Sequence, residues 1–268
     1  MTKIKPIGPI PEYYQQSGGE LAIGDQLASA LVREHGSPLF VYSNTMLKQR
    51  MAELRATMPA QLHIHYAMQA NPYAPLLREM VGLTDGIDIA SAGELSMALA
   101  ATANAKHISF AGPGKRDEEL RQAIEAGVTI NIESPTECAR ALAIANDCNK
   151  QARLAVRVNP NFDLKGSGMK MGGGAKPFGM DVELVGATVK TILDSGAHWR
   201  GFHIFAGSQA LKTDAIIETQ RQTIALAAKL SDEIGVAPEH VNLGGGLGIP
   251  YFPGDTPVDV QSIGTALT

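Results

Sequence analysis

Cysteine, aromatic side chains and long apolar runs are all scarce in this sequence. Its 268 residues include two cysteines and one tryptophan, and aromatic residues make up 5% of the chain. No run of about 18 apolar residues occurs, so we expect no membrane span. The opening stretch, MTKIKPIGPIPEYYQQSGGE, lacks a continuous apolar core and therefore does not resemble a signal peptide.

The two cysteines, Cys138 and Cys148, lie in or beside one helical pattern, SPTECARALAIANDCNK. Their separation along a helix would be about 15 Å, which is too long for a disulfide. We therefore expect reduced thiols and a cytoplasmic protein. Seven histidines are present, but no Cys/His spacing resembles a zinc site, so no metal is predicted.

Basic charge is also not in excess. The net charge is −4 at pH 7, and no run of lysine and arginine forms a basic stripe, so nucleic acid is not an expected partner. Apolar residues make up 44% of the chain and charged residues 19%, as in ordinary globular enzymes. The length suits one large α/β domain or two small ones.

The chain repeats one unit, in which a short apolar strand ends in a polar or glycine-rich turn before an amphipathic helix. Residues 1–36 are predicted to form an arm and a helix, and residues 37–268 an α/β domain that begins with a short strand, PLFVYS. Seven later strands are predicted: LHIHYAMQ, GIDIAS, HISFAG, TINIES, LAVRVN, GFHIFAG and HVNLGGG. Alternation with helices implies parallel strands and right-handed crossovers.

Seven such strands suit either a doubly wound sheet or most of a (β/α)₈ barrel. Nearly every strand ends in polar residues or glycine, and a barrel gathers all its strand ends on one face. A doubly wound sheet places its ligand mainly where the strand order reverses. The even spread of polar ends favours a TIM-like (β/α)₈ barrel, apparently without its eighth strand.

Glycine is concentrated after the seventh strand. Gly244, Gly245 and Gly246 follow HVNL, and successive glycine amides can form an anion-binding nest. In (β/α) barrels a phosphate site commonly follows strand seven. Ser208, just after Gly207, is a candidate second phosphate donor. A glycine-rich turn and a turn serine without any ligand are the alternatives.

Charged and titratable residues also fall inside predicted strands. Asp88 lies between two isoleucines, and Arg157 between two valines, where an unpaired charge would be costly. Such residues suggest a polar ligand site. His203 could equally be a hydrogen-bonded core histidine, and Glu94 fits a capping box with Ser91.

These motifs together resemble the barrel domain of fold-type III pyridoxal-phosphate (PLP) enzymes, in the diaminopimelate/ornithine decarboxylase family. HYAMQAN resembles the family's Tyr-Ala-x-Lys-Ala-Asn strand, DIASAGEL its Asp-x-x-Ser-x-Gly-Glu-Leu segment, FHIFAGSQ its His-x-Gly-Ser-Gln strand and LGGGLG its phosphate loop. The similarity covers roughly residues 36–250. The strings FAGPGKRDEEL, KGSGMKMGGGAKPFGMD and GGGLGIPYFPGD look most like the branch found beside exosortase and exopolysaccharide genes.

The resemblance implies PLP as cofactor, an amino-acid substrate and a homodimer with a shared active site. It implies cofactor-binding roles for Tyr66, Arg157, His203, Ser208, Gly244, Gly245 and Gly246. It implies catalytic roles for His203, Asp88, Glu94 and the residue at position 69. The family's final barrel strand, with its Glu-Pro-Gly-Arg motif, and its C-terminal β-domain have no counterpart within residues 1–268, which implies an incomplete barrel.

Position 69 departs from the family, because Gln69 occupies the place of the lysine that forms a Schiff base with PLP. An amide cannot form that bond and has no useful pKa for proton transfer. Lys115, Lys165 and Lys170 lie on predicted loops as possible substitutes. Three functions remain open: an impaired decarboxylase of a basic amino acid, a non-catalytic PLP or phosphate-ligand binder, and a PLP-dependent racemase-type enzyme.

Overall fold

The computed structural model describes residues 14–164, 166, 168–170, 172–174 and 176–268. The chain divides into two compact units. One comprises the residues up to Leu62 together with Ile249–Thr268, and the other is His63–Gly248. Most of the predicted N-terminal arm lies outside the described residues, and the predicted domain boundary after residue 36 stays a prediction.

The first unit combines a small antiparallel sheet with three helices. The strands pair in the order β1-β2-β3. The elements are β1 (Gln15–Ser17), β2 (Glu20–Ile23), β3 (Gln26–Leu27), α1 (Ala28–His35), α2 (Asn44–Thr57) and α9 (Val260–Leu267). Helix α2 is capped at its start by Ser43, whose hydroxyl accepts a hydrogen bond from the Met46 amide.

The strand predicted for PLFVYS was wrong. Residues 38–43 lead to the start of α2 without regular secondary structure, and no strand in the described part of the chain pairs with them. Phe40 is 84% exposed, so the segment has neither a ladder of hydrogen bonds nor a buried face. A strand-like composition alone is insufficient, because strand stability comes from cross-strand packing.

The second unit contains the seven predicted strands. They are β4 (His65–Ala67), β5 (Gly86–Ile89), β6 (Ile108–Phe110), β7 (Thr129–Ile132), β8 (Arg153–Asn159), β11 (His198–Ile204) and β13 (His240–Asn242). The short pieces are β9 (Met169–Lys170), β10 (Met180–Asp181) and β12 (Gly207–Ser208). The helices between them are α3 (Ala74–Leu83), α4 (Ala92–Ala100), α5 (Asp117–Ala126), α6 (Pro135–Asp147), α7 (Val182–Asp194) and α8 (Thr213–Ile234).

The seven strands form one parallel sheet whose order follows the chain. Each pairs with the next from β4 to β13, and β10 adds a two-residue parallel pairing with β8. A doubly wound sheet would reverse its order at a switch point, and this sheet does not. The barrel topology is therefore confirmed. No further strand pairs with β4 or β13 on the open side within the described residues.

The sheet is apolar outside and polar inside. Along β8, Leu154, Val156 and Val158 are buried in the main apolar core, while Arg153 and Arg157 alternate with them. Because side chains alternate across a strand, the second set faces the barrel interior. The sheet curls far enough for the rings of His63 and His240, at its two outer strands, to lie 6.1 Å apart.

Both cysteines are free thiols, as predicted. Among the described residues no helix has the combined length and hydropathy needed to cross a bilayer. No group of three or more histidine, cysteine or acidic residues in the described part of the chain is arranged to hold a metal ion.

Candidate functional site

His203 lies on β11 directly opposite Arg157 on β8 and Asn242 on β13. Its side chain is buried, and its Nδ1 atom has no hydrogen-bond partner among the described residues. Burial, and next the charge of Arg157, lower the pKa of His203 to about 4, against the opposing charge of Asp88. His203 is therefore a neutral imidazole near pH 7.

The lowered pKa of His203 makes a prediction about stability. The unfolded chain binds a proton at His203 below about pH 6.5, whereas the folded chain does so only below about pH 4. Stability should therefore fall across that window as pH decreases, by roughly 3 kcal/mol at most. Denaturant unfolding between about pH 7 and about pH 4 should show a smaller fall in a His203→Gln variant; parallel curves would contradict the prediction.

A second set of buried charges meets at Glu133, directly after β7. Arg157 donates to its Oε1 at 2.9 Å, the Gly179 amide donates to its Oε2 at 3.0 Å, and the Gly112 amide also donates to Oε1. The Arg157 guanidinium lies 4.9 Å from the ring centroid of Phe178. One carboxylate thus connects the ends of three neighbouring strands, β6, β7 and β8, and neutralises Arg157.

Lys115 belongs to the same network and is not available as a substitute for the missing lysine. Its Nζ donates to the Gly112 and Asn131 carbonyls at 2.7 and 2.8 Å and to the Glu137 carboxylate at 2.8 Å. Its side chain is 1% exposed. Burial lowers the pKa of Lys115, and the charge of Glu137 opposes that effect. Lys165 lies outside the described residues, and of Lys170 only the backbone is described.

Gln69 lies in a single 3₁₀ turn, Met68–Ala70, directly after β4. Its side chain is exposed, and it has no hydrogen-bond partner among the described residues. The neighbouring Tyr66 is half-buried, and its hydroxyl donates to the Asn71 carbonyl at 2.9 Å. The position predicted for the Schiff-base lysine therefore lies at the carboxyl end of the first barrel strand, where an amine would be open to a ligand.

Asp88 and Glu94 have different surroundings. Asp88 accepts a hydrogen bond from His65 Nδ1 at 2.9 Å. Glu94 lies in the first turn of α4, where its amide donates to the Ser91 hydroxyl and its carboxylate accepts from the Ala90 amide. The capping interpretation is confirmed at Ser91, although the Glu94 carboxylate reaches the residue before the cap. The catalytic roles of both acids stay predictions.

The predicted phosphate residues are brought together. The Gln209 amide donates to the Gly246 carbonyl at 2.8 Å, and a Cβ on Gly246 would lie 2.9 Å from Ser208 Cα. Gly244 and Gly246 have φ of 75° and 77°, which a residue with a side chain rarely adopts. Gly245 lies between them with open space where a side chain would be. This is a backbone cradle beside a serine hydroxyl, as an anion requires.

The glycine-rich segment after β8 also reaches this cradle. Its strand β9 pairs antiparallel with β12, which contains Ser208. The Gly172 amide donates to the Ala206 carbonyl at 3.1 Å. FHIFAGSQ has two residues more than the family's His-x-Gly-Ser-Gln pattern, Phe205 and Ala206, and they lead into a paired segment that keeps Ser208 beside Gly246.

Sequence reasoning missed His65 and Glu137 at this site, and it did not predict the ion pairs of Lys115 and Glu133. Glu133 was visible only as one polar strand end among several, and Lys115 as a loop lysine. A parallel barrel brings these residues together across neighbouring strands, a proximity that spacing along the chain does not show.

The architecture is thus that of a (β/α) barrel with a glycine-rich backbone cradle and a buried neutral histidine at its carboxyl face. The chain belongs to the pyridoxal-dependent decarboxylase family: residues 44–268 match the model of its pyridoxal binding domain. The cofactor class predicted from the sequence is confirmed for the family.

Individual relatives agree with the family match. The chain is 32% identical over 237 residues to L-glutamyl-[BtrI acyl-carrier protein] decarboxylase of Niallia circulans, covering 88% of this chain and 55% of that protein. It is 33% identical over 263 residues to diaminopimelate decarboxylase of Aquifex aeolicus, covering 95% and 60%. The crystal structure of diaminopimelate decarboxylase from M. jannaschii in co-complex with L-lysine matches with a TM-score of 0.87 and 29% identity, covering 96% and 62%. This chain spans less than two thirds of the length of each.

Proposed function

We propose that this chain is the PLP-binding barrel of an amino-acid decarboxylase whose substrate has a basic side chain. In this chain Gln69 removes the covalent attachment point, so PLP is held without a covalent bond and decarboxylation is impaired. The observation that carries the proposal is the buried Nδ1 of His203, which has no partner among the described residues, at the same barrel face as the Ser208 and Gly244–Gly246 cradle.

The residues present suit the cofactor. The Ser208 hydroxyl and the amides of Gly245 and Gly246 would hold the phosphate, since they combine donors with open space at Gly245. The amide of Gly244, the third predicted phosphate donor, already donates to the Asn242 side chain at 2.8 Å. His203, neutral because of its low pKa, would lie against the pyridine ring without adding a second positive charge. When bound, PLP supplies an electron sink for the electron pair that remains after carbon dioxide leaves.

Other side chains of this chain would neutralise charge, contact the ligand or form hydrogen bonds with it. Glu133 neutralises Arg157 and fixes it at the barrel interior, opposite His203. Asp88, partly exposed, offers a carboxylate to a cationic part of the ligand. Gln69 can donate or accept a hydrogen bond, but it has no titratable group and cannot move a proton between the substrate and the solvent.

Restoring the amine is the direct experiment. A Gln69→Lys variant mixed with PLP should gain an absorption band at about 420 nm, because a lysine there can attach the cofactor covalently. Borohydride reduction followed by peptide mass spectrometry should place the label on residue 69. Gln261→Lys, which adds a lysine on the exposed surface of α9, is the matched control and should gain no band.

The same variants distinguish the leading proposal from its alternative. Release of carbon dioxide from diaminopimelate or lysine by Gln69→Lys, and not by the parent chain, would support a decarboxylase. Binding of PLP without carbon dioxide release, even by a Gln69→Lys chain joined to the C-terminal part of a full-length relative, would support a non-catalytic PLP binder. The exposed amide at position 69 favours this alternative. Absence of PLP binding in both chains would refute both functions.

Several finer features belong to the same proposal. Membership of the exosortase- and exopolysaccharide-associated branch is supported by the strings FAGPGKRDEEL and GGGLGIPYFPGD. A cytoplasmic location is supported by two free thiols. A homodimer that shares its active site is supported only by the family resemblance, and size-exclusion chromatography with light scattering would test it.

A further inference from the structure

His65 and Asp88 form a pair whose first member the proposed function does not use. The two residues lie on neighbouring strands, with His65 opposite Gly86 and Asp88 opposite Ala67. The Nδ1 atom of His65 lies 2.9 Å from Oδ1 of Asp88. The other carboxylate oxygen, Oδ2, has no hydrogen-bond partner in the described part of the chain.

The local sequence makes room for this pair. A Cβ on Gly86 would be too close to the His107 carbonyl oxygen and would lie 2.6 Å from both Cε1 and Nε2 of the His65 ring. A side chain at position 86 would therefore clash with the backbone of His107 as well as with the imidazole. Glycine at this position, two residues before the aspartate on the same face of β5, permits the contact.

The pair is also the accessible part of the polar barrel interior. The side chains of His65 and Asp88 are 28% and 30% exposed, whereas Arg157 and His203 are 5% and 8% exposed as residues. Asp88 is close enough for its charge to act on His203. Asp88 and His203 thus belong to the same polar interior of the barrel.

We propose that His65 is a positioning residue for Asp88: it holds Oδ1 by a hydrogen bond and leaves Oδ2 for the ligand of the barrel site. The inference rests on the proposed function, because that ligand is taken to be PLP. It adds a residue on β4, the strand that leads to Gln69, to the groups that determine how tightly this chain holds its cofactor.

Two variants separate positioning from simple packing. His65→Asn keeps an N–H donor close to the place of Nδ1 but fills less space, whereas His65→Leu fills the space beside Gly86 and donates nothing. Titration of the full chain with PLP, followed by absorbance, gives the Kd of each variant. Positioning predicts a Kd within about twofold of the parent for His65→Asn and about tenfold weaker for His65→Leu, the effect of one charge-assisted hydrogen bond. The reverse ranking, with leucine tolerated and asparagine not, would overturn the proposal.

A second measurement does not depend on PLP binding. His65→Leu should lower the melting temperature of the cofactor-free chain by about 2–4 °C, and by clearly less in an Asp88→Asn background. Equal shifts in both backgrounds would show that His65 does not act through Asp88. If the parent chain fails to bind PLP, the proposed function fails. The comparison of melting temperatures in the two backgrounds still tests whether His65 and Asp88 are coupled.

Discussion

Replacement of Glu133 by alanine is expected to lower the free energy of unfolding by about 3–5 kcal/mol. The change leaves the buried Arg157 guanidinium without its carboxylate and removes the acceptor of the Gly112 and Gly179 amides. An unpaired buried charge costs more than the lost contact, because its desolvation is no longer compensated. Urea unfolding near pH 7 measures the loss.

The matched control for this variant is Glu118→Ala. Glu118 is an exposed glutamate in the first turn of α5, and its replacement should change the free energy of unfolding by at most about 0.5 kcal/mol. Phe178→Leu adds a milder probe, since it removes the aromatic ring that lies over Arg157 and keeps the ion pair. A Glu133→Ala variant as stable as Glu118→Ala would show that Arg157 is solvated or paired elsewhere.

Replacement of Lys115 by methionine is expected to cost about 3–5 kcal/mol as well. Methionine preserves the length of the side chain but leaves the Glu137 carboxylate buried without a cation. It also removes the donor to the Gly112 and Asn131 carbonyls. Lys150→Met, at an exposed lysine after α6, is the control and should be close to neutral.

A double variant tests the cause. Lys115→Met with Glu137→Gln removes both charges, and the glutamine oxygen can still accept from the Glu133 amide, as Glu137 does at 2.7 Å. If the unpaired carboxylate causes the loss, the double variant should be more stable than Lys115→Met alone. A double variant that is less stable than the single one would instead show that the loss comes from the Gly112 and Asn131 carbonyls, which no longer accept a hydrogen bond from Lys115.

Much of the architecture could be predicted from the order of residues. Each of the seven barrel strands is a short apolar segment before a polar turn and a helix, and all seven occur where expected. The failure at PLFVYS has a physical cause, because that segment had the right composition but no partner strand among the described residues. Pairing is a property of the whole fold, whereas amphipathic periodicity is local.

The candidate site could be predicted less completely. Asp88, Arg157 and His203 were recognisable because charged or titratable residues inside strands need an explanation. The Glu133–Arg157 and Lys115–Glu137 pairs were not, since their members are about twenty residues apart and lie on different βα units. His65 has no distinguishing feature in the sequence, because its contact with Asp88 is made between neighbouring strands, β4 and β5.

The sequence by itself determined the repeated βα pattern, the glycines of the cradle and the absence of a lysine at position 69. Each of these depends on residue type or local backbone freedom, and both are encoded position by position. Tertiary structure alone decided which charges neutralise each other, that Lys115 cannot replace the missing amine, and that His203 is neutral. Those outcomes depend on burial and on distances between strands, which only the curling of the sheet establishes.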